Sequence, residues 1–379
     1  MASPEPRVLA VAGLVFSVLL LGGLAQDAGP PRLTLTPAGF ASLTGWAKDR
    51  VVAAVPAFLR SCGRFLTQPD AAPFDTLNAR PDFGRIGDWR PLCRQASMLG
   101  PGSDLAARRF FEAGFVPMAV ADYGEAGGLF TGYFEIELNG SRKRDRRFQT
   151  PIYRRPPTPT QETRYSRAEI EKGALSGRGL VLVWVDDPID AFFLHIQGSG
   201  RVRLPDGKTI RLGYDGQNGR PYVPVGRLLV ERGEIARDRL SMAAIRDWMV
   251  RHPAAGETLR REDPSYVFFR ELPNNGPLGA EQVVLTPHRS IAVDPSYIPF
   301  GVPIWLDAEE RYRPARGRHR LMVAQDAGGA IKGPVRGDVF WGTGADAGKE
   351  AGEMDALGRY FVLLPRSTVD RGTARGPVP

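Results

Sequence analysis

Cysteine and histidine are scarce in this chain of 379 residues, which has 2 Cys and 4 His. The histidines are far apart in sequence, and neither cysteine lies near one of them. No zinc-ligand spacing results, so we expect neither a metal nor a cofactor. Cys62 and Cys93 either form one disulfide or remain two free thiols, because disulfide geometry cannot be read from sequence alone.

The chain also lacks the features that are typical of nucleic-acid binders. Its formal net charge is +8, but no predicted helix has one basic face, and basic residues do not alternate with aromatic ones. Nucleic acid is therefore not an expected partner. The positive charge fits an acidic partner of another kind, or arginines that are scattered over a solvated surface.

The N-terminal segment combines a hydrophobic run with the absence of cysteine. Arg7 precedes the apolar residues 8–24, and Gly23 and Ala25 form a small-x-small cleavage pattern. Residues 1–25 are therefore predicted to be a signal peptide or an uncleaved N-terminal anchor. Because a lipoprotein needs a cysteine directly after its cleavage point, we expect an exported protein that is not lipid-anchored. Membrane contact is expected only if this segment stays uncleaved.

Two common enzyme signatures lack the required spacing. Residues 342–348 place glycines after a predicted strand, but the third glycine comes one residue late for a dinucleotide site. Ser199 lies directly between two glycines, which is not the Gly-x-Ser-x-Gly spacing of serine hydrolases. Neither of these enzyme classes is predicted.

Turn-forming residues, by contrast, are abundant. The 44 Gly and 33 Pro make up about a fifth of the chain, against a usual ~12%. No segment is of low complexity, so these residues indicate many turns in a mainly β fold with flanking helices. Strands are predicted at 129–138, 180–184, 192–196, 283–286, 290–294, 298–306, 321–324, 339–341 and 359–364, with Asn139-Gly140 as a hairpin turn after the first. Helices are predicted from Thr36 and at 51–65, 103–111, 167–175, 228–235 and 241–252, with a disordered tail at 366–379.

One stretch, residues 321–341, is the best candidate for a catalytic site. Asp326 ends a predicted buried strand, Asp338 begins the next, and a glycine-rich connection joins them. This arrangement can bring two carboxylates together at the mouth of a sheet. Burial and the neighbouring charge would then raise the pKa of one carboxylate, as a general acid requires. The alternative is that both aspartates bond nearby backbone amides in turns.

A second group of polar residues suits the recognition of sugar hydroxyls. Gln197 and Ser199 lie on a glycine-rich platform, and their amide and hydroxyl groups bind without charge. Tyr214 and Tyr222 offer ring faces, whereas Asn218-Gly219 is interpreted as a turn. Lys332 and Arg336 can bind a carboxylate or face water, and we favour water.

Several blocks of the sequence resemble one known family. They are Thr131-Gly132-Tyr133 with the later Pro-Ile-Tyr-Arg at 151–154, Phe-Phe-Leu-His-Ile-Gln-Gly-Ser-Gly at 192–200, and the blocks at 213–222, 263–269, 292–301 and 321–341. In this order they resemble the membrane-bound lytic transglycosylase A (MltA) family, which cleaves bacterial cell-wall glycan. The resemblance covers about residues 131–364. Phe134 departs from the second tyrosine that many members carry.

The resemblance implies a fold and a domain organisation. A double-psi β-barrel catalytic domain is expected from residues 36–135 and 265–365. A second, β-rich domain, residues 136–264, is inserted in its sequence, and the glycan lies in the groove between the two. Thr131, Gly132 and Tyr133 line that groove in the family, and Asp294 is a third aspartate of the barrel that we assign to substrate binding.

The resemblance also implies the chemistry. Asp338 matches the single catalytic acid and base, and Asp326 would raise its pKa. The expected reaction cleaves the β-1,4 bond between N-acetylmuramic acid and N-acetylglucosamine without water and forms a 1,6-anhydromuramic acid end. The implied enzyme class is a peptidoglycan lytic exotransglycosylase, although the sequence leaves cleavage at strand ends or within strands open. The expected location is the periplasm.

Two other classes of function remain open at this level. One is a non-catalytic peptidoglycan-binding module, because a fold alone does not decide function. The other is a scaffold for cell-wall synthesis or division proteins, which leaves no clear mark in a single sequence. Asp338 together with the groove residues of the inserted domain distinguishes the enzyme from the binding module, because a protein that only binds glycan does not need a carboxyl group with a raised pKa.

Overall fold

The computed structural model describes residues 32–75, 83–100, 102–157, 164–273, 276–311 and 313–374. The predicted signal segment, residues 1–25, lies outside these residues. Within the described ranges, no helix is both long and apolar enough to cross a membrane.

Three helices near the N-terminus pack against the sheet. They are α1 (Val55–Phe65), α2 (Ile86–Ser97) and α3 (Asp104–Gly114), and a disulfide between Cys62 and Cys93 joins α1 to α2. Ser103 caps α3, because its side chain accepts a hydrogen bond from the Ala106 N–H. The helix predicted from Thr36 is wrong: strand β1 (Leu33–Pro37) occupies that segment, and short 3₁₀ turns follow it up to Ala54.

The strands pair into one extended sheet system, and the remaining helices pack around it. After β1 come β2 (Phe115–Asp122), β3 (Gly128–Ser141), β4 (Thr150–Tyr153), β5 (Val181–Val185), β6 (Ser199–Arg203), β7 (Thr209–Gln217), β8 (Val267–Leu272), β9 (Ser290–Ala292), β10 (Pro303–Glu310), β11 (Arg313–Asp326), β12 (Arg336–Thr343) and β13 (Asp355–Pro365). The later helices are α4 (Arg167–Glu171), α5 (Pro188–Gln197), α6 (Val225–Glu231), α7 (Met242–Arg251), α8 (Pro253–Glu262), α9 (Ala345–Glu353) and α10 (Arg366–Ala374). The mainly β prediction with flanking helices is confirmed.

Six strands form a closed cycle of pairings. The order runs β13, β10, β11, β9, β12 and β3, and β3 pairs again with β13. The pairs β11–β9 and β12–β3 are parallel, whereas the other four are antiparallel. Apolar residues of these strands belong to the main hydrophobic core, among them Ile291, Ile304, Val323, Val339 and Val362.

Strand β3 connects this cycle to the second group of strands. Its first half pairs with β12 and β13, and its second half pairs with β6 and β5. The hairpin turn predicted at Asn139-Gly140 is wrong, because both residues continue β3 and pair with Arg203 and Val185. Glycine is needed at 140 for close packing instead, since a Cβ there would lie 2.5 Å from Val202 Cγ1.

The apolar run at 192–196 is helical, so the strand predicted there is also wrong. Asp187 caps α5 through the Ile189 N–H, Pro188 occupies its first turn, and Gly198 ends it in the left-handed conformation. A short apolar run that is buried on all sides has no periodicity to separate a helix from a strand. The capping residues on both sides of the run were the available signal.

Three further predictions differ from the structure. The predicted strand at 283–286 forms only an isolated bridge between Val284 and Leu278. Helix α8 starts at Pro253, where the sequence suggested only the end of α7. Residues 366–374 of the predicted disordered tail form α10, where Ser367 and Arg371 bond to Asp88.

Candidate active site

Asp338 and Asp326 lie at the same level on two strands that flank β9. Asp326 of β11 and Asp338 of β12 both pair with Ala292 of β9. Because adjacent strands lie ~4.8 Å apart, about 10 Å separates the two backbones. The two carboxylates were predicted to come together. They do so from the two strands on either side of β9 and not from adjacent strands.

Asp338 accepts a hydrogen bond from a threonine, which an arginine contacts in turn. The Thr131 hydroxyl donates to Asp338 Oδ1 at 2.6 Å, and Arg336 Nη2 donates to the same hydroxyl oxygen at 2.9 Å. Burial raises the pKa of Asp338 to about 6, against the charge of Arg336 and the Thr131 hydrogen bond, which lower it, while the charge of Asp326 raises it further. A carboxyl group with this pKa exchanges its proton close to neutral pH, as a general acid and base must.

Asp326 has a different set of partners. Its Oδ2 accepts from the Tyr133 hydroxyl at 2.7 Å, and its Oδ1 accepts from the N–H groups of Ala280 at 2.8 Å and Ala327 at 2.9 Å. Burial raises the pKa of Asp326, and these three donors act against that effect because they stabilise the carboxylate. The three donors thus favour the charged form of Asp326, whereas burial favours its neutral form.

The two hydroxyls come from alternate residues of one strand. Thr131 and Tyr133 lie on the same face of β3, because side chains two positions apart share a face. Gly132, between them, faces the other way: a Cβ there would lie 2.4 Å from Trp341 Nε1 and 2.8 Å from Ala351 Cα. The Thr-Gly-Tyr motif therefore combines two bonds to aspartates with one close packing contact.

Arg336 does not face water as the sequence suggested. Its side chain is half-buried and donates to Thr131 and to the Leu129 and Gly337 carbonyls. The sequence did contain a signal for this position, since Arg336 stands two residues before Asp338 in a strand and so shares its face. Lys332, in the connecting loop, is exposed as predicted.

Asp294 has a structural role that the predicted substrate contact did not include. The residue is buried, with Oδ1 accepting from the Ser296 N–H at 3.0 Å and Oδ2 accepting from the Gly333 N–H at 2.9 Å. Gly333 has a φ of +96°, which favours glycine. Asp294 therefore anchors the connection that brings Asp338 back beside Asp326.

The predicted sugar-binding residues differ in position and in exposure. Gln197, at the end of α5, accepts from the Phe134 N–H at 3.0 Å and so lies beside the Thr-Gly-Tyr motif. Ser199 is buried at the start of β6, whereas Tyr214 on β7 is 52% exposed and open to a ligand. Asn218 is buried and donates to the Tyr165 and Pro264 carbonyls, so it fixes local structure.

Tyr222 lies close enough to Asp338 to be affected by its charge. Burial raises the pKa of Tyr222 to about 12, and the charges of Asp263 and Asp338 contribute in the same direction. Its loop follows β7, so residues from both groups of strands meet near Asp338. The geometry supports proton transfer by Asp338 next to a surface that presents hydroxyl, amide and aromatic groups.

Two family models match the chain and cover most of the site. Residues 129–270 match the MltA specific insert domain, and residues 289–364 match the 3D domain. Thr131, Gly132 and Tyr133 lie in the first match, and Asp326 and Asp338 lie in the second.

Characterised relatives extend this likeness. The chain is 38% identical over 357 residues to membrane-bound lytic murein transglycosylase A of Escherichia coli K12, covering 84% of this chain and 96% of the relative. It is 36% identical over 242 residues to the protein of the same name from Vibrio cholerae, covering 62% of this chain and 65% of that relative.

Solved structures agree with the sequence relatives. A membrane-bound lytic murein transglycosylase from Agrobacterium tumefaciens superimposes with a TM-score of 0.77 at 32% identity, covering 89% of this chain and 99% of the other. E. coli MltA with bound chitohexaose superimposes with a TM-score of 0.66 at 28% identity, covering 91% and 98%.

Proposed function

The chain belongs to the MltA family of lytic murein transglycosylases, and from this premise we propose that it cleaves peptidoglycan glycan strands without water. The bond cleaved is the β-1,4 linkage between N-acetylmuramic acid and N-acetylglucosamine, and the product carries a 1,6-anhydromuramic acid end. Asp338 acts first as the acid and then as the base.

The proposed reaction is balanced with one carboxyl group. Protonated Asp338 donates its proton to the bridging oxygen as the bond from C1 to that oxygen breaks, and positive charge develops at C1. The 6-hydroxyl oxygen of the muramic acid then attacks C1 and gives its proton to the Asp338 carboxylate. Ordinary glycosidases need a second carboxyl as nucleophile or as base for water. Here the substrate supplies the nucleophile.

One observation carries this proposal: the pKa of Asp338 is raised to about 6 beside a second aspartate that accepts three hydrogen bonds. Asp326, kept ionised, raises the pKa of Asp338 and stabilises the positive charge at C1. Thr131 and Arg336 limit the rise in the pKa of Asp338, so that its carboxylate can also accept a proton. A protein that only binds glycan has no need for this pairing.

The proposed substrate groove uses residues from both groups of strands. Thr131, Gly132 and Tyr133 contribute from β3, Gln197 and Ser199 from the neighbouring segment, and the exposed Tyr214 ring offers a stacking surface. The chitohexaose that E. coli MltA binds in its solved structure supports a groove for a β-linked amino-sugar chain. Asp294 supports the groove from beneath through its bond to Gly333.

The fold proposal is a double-psi β-barrel with an inserted domain. The six-strand cycle with two parallel pairs supports the barrel, built from residues 36–135 and 265–365. The insertion, residues 136–264, is supported by β3, whose partners change from β12 and β13 to β6 and β5 after Glu135. We further propose export to the periplasm without a lipid anchor, where proteins of cell-wall synthesis or division are candidate partners.

The test is mass analysis of purified sacculi that have been incubated with the mature protein. We expect anhydromuramic products from the native chain. With Asp338→Asn we expect a loss of about a hundredfold to ten-thousandfold, the usual contribution of a general acid and base. Asp206→Asn is a matched control, because Asp206 is exposed on the turn between β6 and β7.

The products distinguish the rival functions. Reducing-end sugars would contradict the non-hydrolytic reaction and would require a second carboxylate, Asp326 first, to act on water. Binding of sacculi without any product from the native chain would instead support the alternative, a non-catalytic peptidoglycan-binding module.

A further inference from the structure

A cavity of about 550 Å³ has none of the proposed site residues in its lining. Its wall includes Trp341 and the segment just before β9. Trp341 packs against Gly132, on the face of β3 opposite to Thr131 and Tyr133. The β3–β12 pair therefore separates this cavity from the proposed glycan groove.

The wall of the cavity is strongly basic. Its charged and titratable lining residues are Lys48, Asp49, Arg50, His288, Arg289, His319 and Arg320. Asp49 is the acid among them, and Arg289 already neutralises it with two hydrogen bonds of 2.7 Å and 2.9 Å. Lys48, Arg50 and Arg320 therefore contribute positive charge that no lining acid balances.

Arg320 differs from the other cations because it lies against an aromatic ring and has no carboxylate partner among the described residues. Its guanidinium lies 5.6 Å from the centroid of the Trp341 ring, which also has Arg318 at 4.7 Å. Arg318 is paired with Glu310, but within the described ranges no carboxylate comes within ion-pair distance of Arg320. An arginine that is largely shielded from water is normally paired with a carboxylate, because desolvating a charge without a partner is costly.

The electrostatic surroundings of Arg320 agree with this interpretation. Burial lowers the pKa of Arg320 to about 10, and the charges of Arg289 and Arg318 lower it further, against Asp49 and Glu350, which raise it. Arg320 is still charged at neutral pH. His288, which faces the same cavity, has its pKa lowered by burial and by the same three arginines, with Glu350 opposing.

We propose that this cavity binds a compact phosphate-type oxyanion between Arg320, Arg50 and Lys48. Lys48 and Arg50 line the cavity from one segment, and Arg320 lines it from β11. Guanidinium and ammonium groups around one cavity suit the several oxygens of a tetrahedral anion, and arginine forks match phosphate geometry. A concave wall of one sign also concentrates such anions from solution. The shared chemistry is a phosphate group, either free or carried by a lipid headgroup.

The first experiment is calorimetric titration of the full chain with inorganic phosphate at about 0.15 M ionic strength, where weak surface attraction is screened. We expect saturable binding at one site, weakened at least about tenfold by Arg320→Gln, since a charge-assisted hydrogen bond contributes that much or more. Lys48→Gln with Arg50→Gln tests the same site with exposed residues, whose replacement leaves the fold intact. Arg237→Gln, exposed and outside the cavity, is the matched control.

The source of the phosphate is tested with vesicles. Cosedimentation with phosphatidylglycerol vesicles, lost in Arg320→Gln and absent with phosphatidylcholine alone, would assign a lipid headgroup. Phosphate binding without vesicle binding would assign a free phosphate. Absence of saturable phosphate binding by the native chain, or equal affinity in all the variants, would overturn the proposal.

This inference is independent of glycan cleavage. Asp338→Asn should bind phosphate as the native chain does, because Asp338 and the cavity lie on opposite faces of the β3–β12 pair. A variant that loses phosphate binding but still releases sugar products would separate the two sites directly.

Discussion

Thr131 and Tyr133 show how two hydroxyls of one strand give two aspartates different properties. Each donates to one carboxylate, at 2.6 Å for Asp338 and 2.7 Å for Asp326. Asp326 also receives two backbone N–H bonds, which favour its charged form. The two hydroxyls should therefore control opposite limbs of the pH profile.

Thr131→Val tests the alkaline limb. Removing the hydroxyl removes a bond that lowers the pKa of Asp338, so this pKa should rise above about 6. Because the proposed reaction needs protonated Asp338, activity should be lost as pH rises through that pKa, and the alkaline limb should move to higher pH. The maximal rate should fall by up to about tenfold as the carboxyl loses its positioning bond.

The measurement is the pH dependence of kcat/KM for anhydromuramic product release. Thr258→Val, on the exposed surface of α8, should leave the profile unchanged. An alkaline limb that stays in place, or moves to lower pH, would contradict the role of Thr131.

Tyr133→Phe tests the acid limb in the same assay. Its hydroxyl lowers the pKa of Asp326, so its loss should raise that pKa. If Asp326 must be ionised, activity is lost as pH falls through this pKa, and the acid limb should move to higher pH. The pH optimum should narrow, and Tyr165→Phe, whose ring packs in a separate small cluster, should not change it. If Tyr133→Phe shifts only the alkaline limb, the ionised group that the reaction requires is not Asp326.

At the scale of elements, β3 and β12 depend on close contact at one glycine. Asp338 pairs with Thr131 in this parallel pair, so the bond between their side chains requires correct register. Gly132 packs directly on Trp341 and Ala351, which belong to β12 and α9. Any side chain at 132 would push these elements apart.

Gly132→Ala should lower the free energy of unfolding by about 1–3 kcal/mol, the usual cost of overpacking. Urea denaturation measures this effect, and cleavage activity should fall with it because the bond from Thr131 to Asp338 is disturbed. Gly63→Ala is the control, since a Cβ there meets nothing within 4 Å and α1 should gain up to about 1 kcal/mol. In a double-mutant cycle, Gly132→Ala should cost less in a Trp341→Leu background than in the native chain, because the clash with the indole ring is removed. Unchanged stability in Gly132→Ala alone would disprove the contact.

At the scale of the molecule, two features join distant parts of the chain. Glu135 is fully buried where β3 changes partners, and it accepts from Thr343 at 2.8 Å and pairs with Arg211 at 2.9 Å. This arrangement fixes the two groups of strands to each other beside the proposed groove. The disulfide between Cys62 and Cys93 fixes α1 to α2.

Replacing both cysteines by serine should lower the free energy of unfolding by about 3–4 kcal/mol, because a closed loop of 31 residues is released in the unfolded chain. Urea denaturation with and without a reductant measures this loss. The reductant should destabilise the native chain and leave the double variant unchanged. Equal stability of the oxidised native chain and the variant would show that the disulfide contributes nothing.

The sequence alone established the mainly β class of fold, and it predicted the residues to which we assign the chemistry. Side chains alternate between the two faces of a strand, so Thr131 and Tyr133 share one face of β3. The glycine-rich connection from Asp326 to Asp338 predicted that the chain returns on itself. These are local properties, because strand periodicity and turn residues act over a few positions.

The contacts that these residues make depend on the tertiary structure. Asn139-Gly140 continues a strand and 192–196 forms a helix, because packing against distant residues overrides local propensity. Thr131 and Asp338 are separated by 207 positions, and their bond exists only through the register of β3 and β12. The pKa of a carboxyl depends on desolvation and on neighbouring charges, and the fold alone brings those together around Asp338.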